Sequence, residues 1–477
     1  MIFNSIEKKN VVFSIHKYNL ILIKLFMCTI LVFTLCNLIN NNLDNDAFGG
    51  TEKEPPLIND ENLQIAQIID KLNFPTGIDF LGENDILVIE KNTGQVKRIL
   101  DGEILNEPVL DVNVASESER GLLGIAILNT KSLSNTDATI TSNENLQEES
   151  TLDNEGEVKV FLFYTETEGI DNGEILGNRL YKYDFIDGKL VNPTLLLDLP
   201  FLPGPSHNGG VLDIGPDNNL YLVVGDINRE ANPEYMTLAQ NIEQSKVPDG
   251  RGGVLRLTVD GDPVLKAGDD GFSSLGDSGL LNFYYGYGIR NSFGIGFDPL
   301  TGILWETENG SNYGDEINVI LPGFNGGWRH VLGLSTEYEN YKNKEFDRNK
   351  LILFDGKSKY YDPVFTWVDT VAPTAITFIA SNIFNEEYEN DLLVGSVKQG
   401  RIFHFNLNET RTGLDLPPGE LIDKMADVDE ELDSVTLGRN FGIITDIEIN
   451  PYNGKIYVVN GQTKNGKIYE IYPKELT

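Results

Sequence analysis

The feature that most constrains the fold of this 477-residue chain is a hairpin pattern that recurs along most of its length. Each unit has an alternating apolar stretch, a turn rich in glycine, proline or asparagine, and a second apolar stretch. Apolar alternation bounded by turn residues is typical of antiparallel strands, and strong helical periodicity is absent. The sequence therefore predicts an all-β protein built from repeats. The units begin at Pro75, Arg120, Asn208, Ser292, Pro373 and Ile444.

Six such units, each followed by further strand-like segments such as "NRLYKYDF", predict a six-bladed β-propeller of four-stranded antiparallel blades over residues 61–477. A pair of β-sandwiches and a β-helix are the alternatives, but the spacing is uneven and longer than one coil of a β-helix. The second unit has no tight turn. Its partner strand is predicted to begin at Lys159, after a polar segment without aromatic residues, 130–157, that is interpreted as a disordered insertion.

The N-terminal segment, 1–40, predicts a hydrophobic helix that directs export. Its apolar core from Leu25 to Ile39 follows several lysines and precedes an acidic stretch, which is the charge bias that retains the N-terminus in the cytoplasm. The core has the length of a signal-peptide h-region, and counting back past Lys24 gives the ~20 residues of a membrane helix. No clean cleavage site follows, so an uncleaved anchor is favoured over a removed signal. Residues 41–60 are predicted to be a linker, and the body is predicted to be extracytoplasmic.

Composition excludes several functions. The chain has 37 Lys and Arg against 73 Asp and Glu, a net charge of −36, so nucleic acid is a poor partner. Such a surface can bind divalent cations, or it can simply be a solvated acidic coat. Both cysteines, Cys28 and Cys36, lie in the N-terminal segment. The body therefore has no disulfide, no thiolate zinc site and no cysteine nucleophile.

Hairpin geometry predicts that polar residues distant in the sequence gather at one end of the propeller. Residues equidistant from a turn face each other across an antiparallel pair, and corresponding ends of the hairpins surround the central channel. The predicted opposing pairs are His207 with Asp226, Arg290 with Gly310, Asn291 with Asn309, Ser292 with Glu308, and Thr445 with Asn460.

An imidazole beside a carboxylate, as predicted for His207 and Asp226, is the arrangement of a general base. The alternative is a histidine that caps a turn, with the aspartate in an Asx-turn. Arg290, which has glycines on both sides, suits recognition of a carboxylate, or it is a buried arginine that joins blades. His330 and His404 are predicted to be structural.

The loop "ETENGSNYGDEIN", 306–318, carries four carboxylates among Gly, Ser and Asn. Oxygen ligands on such a loop suit Ca²⁺, although acidic loops often bind nothing. Lys398 ends an apolar strand, where a solvated lysine is the default interpretation.

Seven motifs occur in order between about Pro75 and Tyr469, and together they resemble the glucose/sorbosone dehydrogenase family. They are "ERGLLGIA", "HNGG", "YGIRNSFGIGFDP", "ENG…GDEIN", "NGGW", "VAP" and "VGSVKQGRI". The resemblance implies an exported six-bladed propeller that oxidises aldoses with pyrroloquinoline quinone and Ca²⁺. It also implies a small-molecule sugar as substrate, with membrane contact through the N-terminal helix only.

The resemblance also implies roles for individual residues. His207 matches the family's general base, Asp226 the aspartate that supports it, and Arg290 a polar contact at the reaction centre. The residues implied to contact the cofactor are Asn291, Lys398, Trp367, Glu119 and Arg120. The residues implied to bind calcium are Gly310 and Ser311, through their backbone carbonyls, and Asp315 and Glu316 at a structural site.

The sequence departs from the family pattern at three places. Ile443 and Thr445 stand where the family has two arginines, Glu119 and Arg120 stand where it has a glutamine before "GLLG", and Trp367 is one residue farther from "VAP" than the pattern expects. Arg120 or Arg439 is the candidate to replace the missing cations. The leading hypothesis is a quinoprotein sugar dehydrogenase with an unidentified sugar and electron acceptor. A non-catalytic propeller that binds a glycan or protein, and a calcium-dependent sugar-lactone hydrolase, are the alternatives.

Overall fold

The computed structural model describes residues 54–129, 158–265, 272–342 and 346–474. The predicted N-terminal helix, the predicted linker up to residue 53 and the predicted insertion at 130–157 lie outside these residues. Within the described ranges, no helix has both the length and the apolar character needed to cross a membrane.

Short strands make up most of the regular structure in the described residues. The first fifteen are β1 (Leu57–Ile58), β2 (Leu63–Leu72), β3 (Pro75–Gly82), β4 (Asp85–Glu90), β5 (Gln95–Leu100), β6 (Glu103–Ile104), β7 (Leu110–Asp111), β8 (Leu122–Asn129), β9 (Val158–Thr167), β10 (Ile175–Ile186), β11 (Lys189–Leu199), β12 (Leu212–Ile214), β13 (Asn219–Val224), β14 (Gly253–Thr258) and β15 (Tyr284–Tyr287). The others are β16 (Ser292–Phe297), β17 (Leu304–Glu308), β18 (Asp315–Ile320), β19 (Phe324–Asn325), β20 (Lys359–Tyr360), β21 (Phe365–Trp367), β22 (Pro373–Phe378), β23 (Leu392–Ser396), β24 (Ile402–Leu407), β25 (Leu414–Asp415), β26 (Met425–Ala426), β27 (Thr436–Arg439), β28 (Ile444–Ile449), β29 (Ile456–Asn460) and β30 (Gly466–Pro473).

Helices are short and lie in the connections. One α-helix, α1 (Ser335–Lys342), occurs among the described residues. The 3₁₀ helices are Pro233–Tyr235, Leu238–Gln240, Gly279–Phe283, Arg348–Lys350, Phe354–Gly356, Glu420–Asp423 and Asp429–Val435.

The strands form sheets of four to six members that follow one another along the chain. The orders are β3-β4-β5-β6 with β7 also on β5, β8-β9-β10-β11, β12-β13-β14-β15-β19-β20, β16-β17-β18-β21-β26, β22-β23-β24-β27-β1 with β25 on β24, and β28-β29-β30-β2. β8 pairs with β9, as the sequence predicts across the insertion. β1, inside the predicted linker, pairs with β27.

The prediction of a propeller is confirmed, but the prediction of six four-stranded blades is wrong. Five sheets contain an antiparallel run of four strands of three or more residues. The sheet of β3–β7 has only three such strands, because β6 and β7 are two residues each and both pair with β5. In three other sheets, one or two further strands extend the four-stranded run. The repeat is therefore less regular than its hairpins suggest.

Two contacts close the propeller. β2 pairs with β30, so the first long strand of the described chain completes the sheet formed by the last strands. The first strands of successive sheets, β3, β8, β12, β16, β22 and β28, also contact one another in a closed ring. Polar residues at the ends of these strands are therefore brought to a common axis.

Apolar side chains between the sheets hold this arrangement. Central strands such as β13 and β29 are buried on both faces because each sheet is stacked between two others. Phe161 and Phe163 of one sheet share a cluster with Leu222 and Leu255 of the next. Burying such side chains contributes about 1.5–3 kcal/mol each.

Candidate active site

The loop before β12 holds His207 in a strained backbone conformation. Its φ is 64°, in the left-handed region that few non-glycine residues occupy. Its N–H donates to Glu119 Oε2 at 2.5 Å, and its carbonyl accepts from the Ile227 N–H. A Cβ at Gly225 would lie 2.4 Å from the His207 carbonyl oxygen and 2.9 Å from that of Arg290. A glycine there allows the two segments to approach.

His207 and Asp226 form a buried pair, which confirms that hairpin geometry brings them together. His207 Nδ1 lies 2.7 Å from Asp226 Oδ1, and the residues are 3% and 0% exposed. Burial alone would raise the pKa of Asp226, but the hydrogen bond from His207 and the charges of His207 and Arg329 lower it below its ordinary value. In a neutral imidazole, the ionised carboxylate would hold the proton on Nδ1 and leave the lone pair on Nε2.

Two residues that the sequence analysis missed complete the shell around Asp226. Trp328 Nε1 and an Arg329 Nη donate to Asp226 Oδ2 at 2.8 and 2.7 Å. Both lie in the loop between β19 and α1, about a hundred residues from Asp226. The motif "NGGWRH" contains both residues, but no spacing rule relates this loop to the distant hairpin that carries Asp226.

Arg290 lies opposite the end of β17, as predicted. One Nη donates to the carbonyls of Asn309 at 2.6 Å and Gly310 at 3.0 Å, and its backbone N–H donates to Glu308 at 2.6 Å. The guanidinium also lies 5.6 Å from the ring centroid of Trp328. Burial lowers the pKa of Arg290, although the nearby carboxylates oppose this effect. The guanidinium remains a cation at any physiological pH.

Glu119 connects His207 to Asn291. The oxygen that accepts from the His207 N–H also accepts from Asn291 Nδ2 at 3.3 Å. Asn291 Oδ1 is buried and has no hydrogen-bond partner among the described residues. A buried acceptor without a donor is open to a hydrogen bond from a water molecule or a ligand. Glu119 and Asn291, both predicted to contact a cofactor, are therefore at the site.

Arg120 and Arg439 do not replace the missing cations. Arg120 donates to the Phe201 carbonyl at 2.9 Å and lies 3.7 Å from Glu117, while no contact joins it to His207 or Arg290 in the part of the chain that is described. Arg439 lies in β27 and pairs with Asp433 at 2.5 Å. The prediction that either arginine compensates is not supported.

The last hairpin differs from its predicted register by one residue. Ile444, not Thr445, lies opposite Asn460, and the register shifts between Ile444 and Asp446. Thr445 Oγ1 donates to the Pro75 carbonyl at 2.8 Å. A bulge of this kind rotates side chains to the other face of the strand.

The carboxylates predicted to bind a structural calcium are already engaged. Asp315 accepts the backbone N–H groups of Gly310, Val371 and Ala372, each at 2.8 Å. Burial raises its pKa to about 6, although these bonds oppose the effect. Asp315 therefore fastens the loop that carries Gly310.

Glu316 has a similar structural role. It accepts from the Gly333 N–H at 2.5 Å and from Asn318 Nδ2 at 2.9 Å, and burial raises its pKa to about 7. No set of three or more His, Cys, Asp or Glu side chains in the described ranges is arranged to hold a metal ion. A calcium site made by Asp315 and Glu316 is therefore not supported. Ser311, predicted with Gly310 to bind the cofactor calcium through its backbone carbonyl, is exposed, and its hydroxyl donates to Asn312 at 3.2 Å.

The two remaining predicted cofactor residues have different positions. Lys398 is exposed, donates to the Thr370 carbonyl at 3.0 Å, and is near enough to lower the pKa of Asp315. Trp367 is fully buried, with its ring 5.4 Å from that of Phe403, so it cannot flank a ligand. Trp328 is the indole that the structure places at the site.

The other two described histidines are structural, as predicted. His330 Nε2 lies 2.8 Å from the Asn241 carbonyl oxygen, and His404 Nε2 lies 3.0 Å from Asp391 Oδ2.

The fold and the site define a propeller with a buried His–Asp pair next to an arginine and to an amide oxygen that has no partner among the described residues. Comparison with known proteins gives the family. The family model of glucose/sorbosone dehydrogenase matches residues 146–470, so the chain belongs to that family. Membership confirms the resemblance seen in the sequence and identifies an oxidoreductase that acts on sugars.

Curated relatives are also sugar dehydrogenases by name. Aldose sugar dehydrogenase YliI of Escherichia coli is 25% identical over 73% of this chain and 81% of its own. Quinoprotein glucose dehydrogenase B of Acinetobacter calcoaceticus is 26% identical over 73% of this chain and 78% of its own.

Solved structures share the fold. The apo form of the soluble aldose sugar dehydrogenase of Escherichia coli has a TM-score of 0.60 at 20% identity and covers 86% of this chain and 100% of its own. The aldose sugar dehydrogenase of Streptomyces coelicolor, described as bound to pyrroloquinoline quinone, has a TM-score of 0.55 at 20% identity and covers 86% and 98%.

Proposed function

We propose that the protein is an exported quinoprotein aldose dehydrogenase in which His207 Nε2 takes the proton of the sugar's anomeric hydroxyl. The observation that carries this proposal is the 2.7 Å contact between His207 Nδ1 and Asp226 Oδ1, which leaves the lone pair on Nε2. When bound, pyrroloquinoline quinone would supply the hydride acceptor, and Ca²⁺ would polarise it.

The residues present fit an anionic cofactor that brings its own hydrogen-bond donors and acceptors. Asn291 Oδ1 is a buried acceptor without a partner among the described residues, Arg290 is the cation next to it in the chain, and Lys398 is an exposed cation near Asp315. The carbonyl of Gly310 accepts from Arg290 and retains a second lone pair, so it and the carbonyl of Ser311 are the proposed calcium ligands.

The work of the chain's own residues is proton transfer and positioning. Asp226 fixes the tautomer of His207 and stabilises the imidazolium that forms when Nε2 accepts the proton. The left-handed backbone of His207, held by Glu119, sets the direction of the ring. Arg290 supplies a fixed positive charge beside this base.

We also propose that the N-terminal segment, 1–40, anchors the protein so that the propeller lies on the outer face of the membrane. The support is the lysine bias before the apolar core and the acidic residues after it. The electron acceptor is then a carrier that reaches this face.

The test is reconstitution of the full-length protein with pyrroloquinoline quinone and Ca²⁺, followed by a panel of aldoses with a dye acceptor. We expect dye reduction that requires both additions and is lost when the calcium is chelated. Quinone that stays unbound in large excess would overturn the proposal. Assays of glycan binding and sugar-lactone hydrolysis on the same sample would then distinguish the alternatives.

One observation favours the second candidate, a binding module without catalysis. The carboxylate of Glu119 lies between His207 and Asn291, where it repels an anionic cofactor. Glu119→Gln keeps an acceptor for both N–H groups and removes the charge. If the dehydrogenase proposal holds, this variant should bind the quinone at least as tightly as the wild type; weaker binding would mean that the carboxylate serves another ligand.

A further inference from the structure

Asp226 accepts hydrogen bonds from four groups, and only one of them is a permanent cation. Oδ1 accepts from His207 Nδ1 and from the backbone N–H of Asn228, at 2.7 and 2.9 Å. Oδ2 accepts from Trp328 Nε1 and Arg329 Nη2, at 2.8 and 2.7 Å. The carboxylate thus stands between an imidazole on one oxygen and a guanidinium on the other.

Arg329 is held in this position by several contacts. The Nη2 that contacts Asp226 also donates to the Asn228 carbonyl at 2.7 Å, and the backbone N–H donates to the Gln240 carbonyl at 3.0 Å. The guanidinium lies 5.0 Å from the ring centroid of Trp328, and the side chain is 12% exposed. Such a clamped arginine cannot leave without unpairing a carboxylate that has no access to water.

The charge of Arg329 determines how strongly the Asp226 carboxylate favours protonation of His207. Facing a lone buried carboxylate, an imidazole is driven toward its protonated form, in which Nε2 has no lone pair. A cation on the second oxygen offsets the negative charge that the imidazole experiences. The hydrogen bond that orients the ring remains, but the electrostatic pull on a second proton is reduced.

Other charges also surround the ring. Glu119 contacts the His207 backbone, and Lys91 lies near Glu119. Arg290 interacts with Asp226 and Glu119. The Arg120–Glu117 pair adjoins the same loop as Glu119, and His330 follows Arg329 in the chain. Among the lysines and arginines that the structure describes, only Arg329 forms an ion pair with the carboxylate that holds the imidazole.

We propose that Arg329 is a positioning residue that shares the charge of Asp226 and so keeps the His207 imidazole neutral, with Nε2 able to accept a proton. This inference rests on the proposed function for its catalytic meaning. Its chemical content, the protonation state of His207, can be measured without cofactor or turnover.

The test compares two donors to the same oxygen. Arg329→Gln removes the cation, Trp328→Phe removes a neutral donor, and Arg329→Lys keeps the charge. Titration of His207 is followed by NMR of the full-length protein labelled at histidine, with the signal assigned by its loss in His207→Gln. We expect the midpoint in Arg329→Gln to rise by about one pH unit or more. The shift in Trp328→Phe should be clearly smaller, and Arg329→Lys should restore most of the wild-type value.

In the reconstituted enzyme, the acidic limb of the kcat/KM profile should move upward with the NMR midpoint. Equal midpoints for wild type and Arg329→Gln would overturn the inference. If Arg329→Gln does not fold, the wild-type titration decides: a His207 imidazole that is mostly protonated at pH 7.5 contradicts the proposal. A shifted midpoint in a protein that never binds quinone would refute the dehydrogenase proposal and leave this inference standing.

Discussion

The carboxylate that contacts the site histidine and four carboxylates enclosed by the first strands of the sheets have pKa values shifted in opposite directions. At the site, the pKa of Asp226 lies below its ordinary value. In the space enclosed by the first strands of the sheets, which we call the channel, burial raises the pKa of Asp79, Asp213 and Asp446 to about 7. The pKa of Glu448, beside them, is raised well above its ordinary value.

The partners of each group explain the difference. Asp226 faces a guanidinium and an imidazole. Asp79 accepts the Ile127 N–H at 2.6 Å, and Asp446 accepts the Ile78 N–H at 2.8 Å, so these two carboxylates connect neighbouring first strands through backbone donors. Removal from water favours the neutral form, and backbone hydrogen bonds offset this only in part. Among these five carboxylates, the one whose pKa is lowered is the one that faces a cation.

The largest expected effect comes from removing the base at the site. His207→Gln keeps a polar side chain but cannot accept a proton, so kcat with an aldose should fall about 10²–10⁴-fold while quinone binding is retained. Steady-state kinetics and a quinone titration measure the two quantities. Asp213→Asn, in the channel, is the control and should leave kcat within about twofold. Unchanged turnover in His207→Gln would exclude the assigned role.

The second effect concerns stability at the site. Asp226→Asn leaves Arg329 without its anion, and loss of one partner from a buried ion pair costs about 3–5 kcal/mol. Because the folded pKa of Asp226 is depressed, its contribution is present above the unfolded value of about 3.9 and is lost as pH falls through the folded pKa. Urea unfolding at several pH values should show a difference at pH 7 that shrinks below pH 4.

The control for Asp226→Asn is Asp391→Asn. Asp391 also contacts a histidine, His404 at 3.0 Å, but no arginine within the described ranges donates to its other oxygen. Its substitution should cost about 1 kcal/mol. Equal losses of unfolding free energy in the two variants would show that the ion pair with Arg329 does not make Asp226 more stabilising than Asp391.

The parts of the structure that the sequence predicted are those that depend on local periodicity. Alternation and turn centres were enough to pair His207 with Asp226, to place Arg290 beside Asn309 and Gly310, and to connect β8 with β9. These contacts lie within one sheet or between consecutive strands, where a period of two residues determines which side chains meet.

The errors occur where that rule fails. A one-residue bulge moved Thr445 out of register with Asn460, and two-residue strands left the sheet of β3–β7 incomplete. Arg329 reaches Asp226 from a loop that no repeat positions. The acidic loop suggested calcium at Asp315, but that carboxylate already accepts hydrogen bonds from the backbone N–H groups of Gly310 and of Val371, just before β22. Sequence spacing does not show which donors a fold will supply.

The smallest expected effect comes from the channel and has the opposite sign. Glu448→Gln should stabilise the protein at pH 8 by about 1–3 kcal/mol, because it removes a carboxyl that burial and three neighbouring aspartates resist ionising. The folded pKa of Glu448 is raised, so its contribution to stability is complete below the unfolded value and is lost as pH rises. The gain over wild type should therefore grow from pH 5 to pH 8.

Glu470→Gln is the matched control for Glu448→Gln. The Glu470 carboxylate accepts from Lys455 Nζ at 2.8 Å and from the Tyr457 hydroxyl at 2.6 Å, so the same substitution there should give no gain that grows with pH. Urea unfolding measures both variants. If Glu448→Gln instead destabilises the protein at pH 8, the Glu448 carboxylate is ionised and paired with a cation, and the contrast between site and channel disappears. Adding a chelator to the wild type would then identify that cation as a metal, because its removal should reproduce the loss of stability seen in the variant.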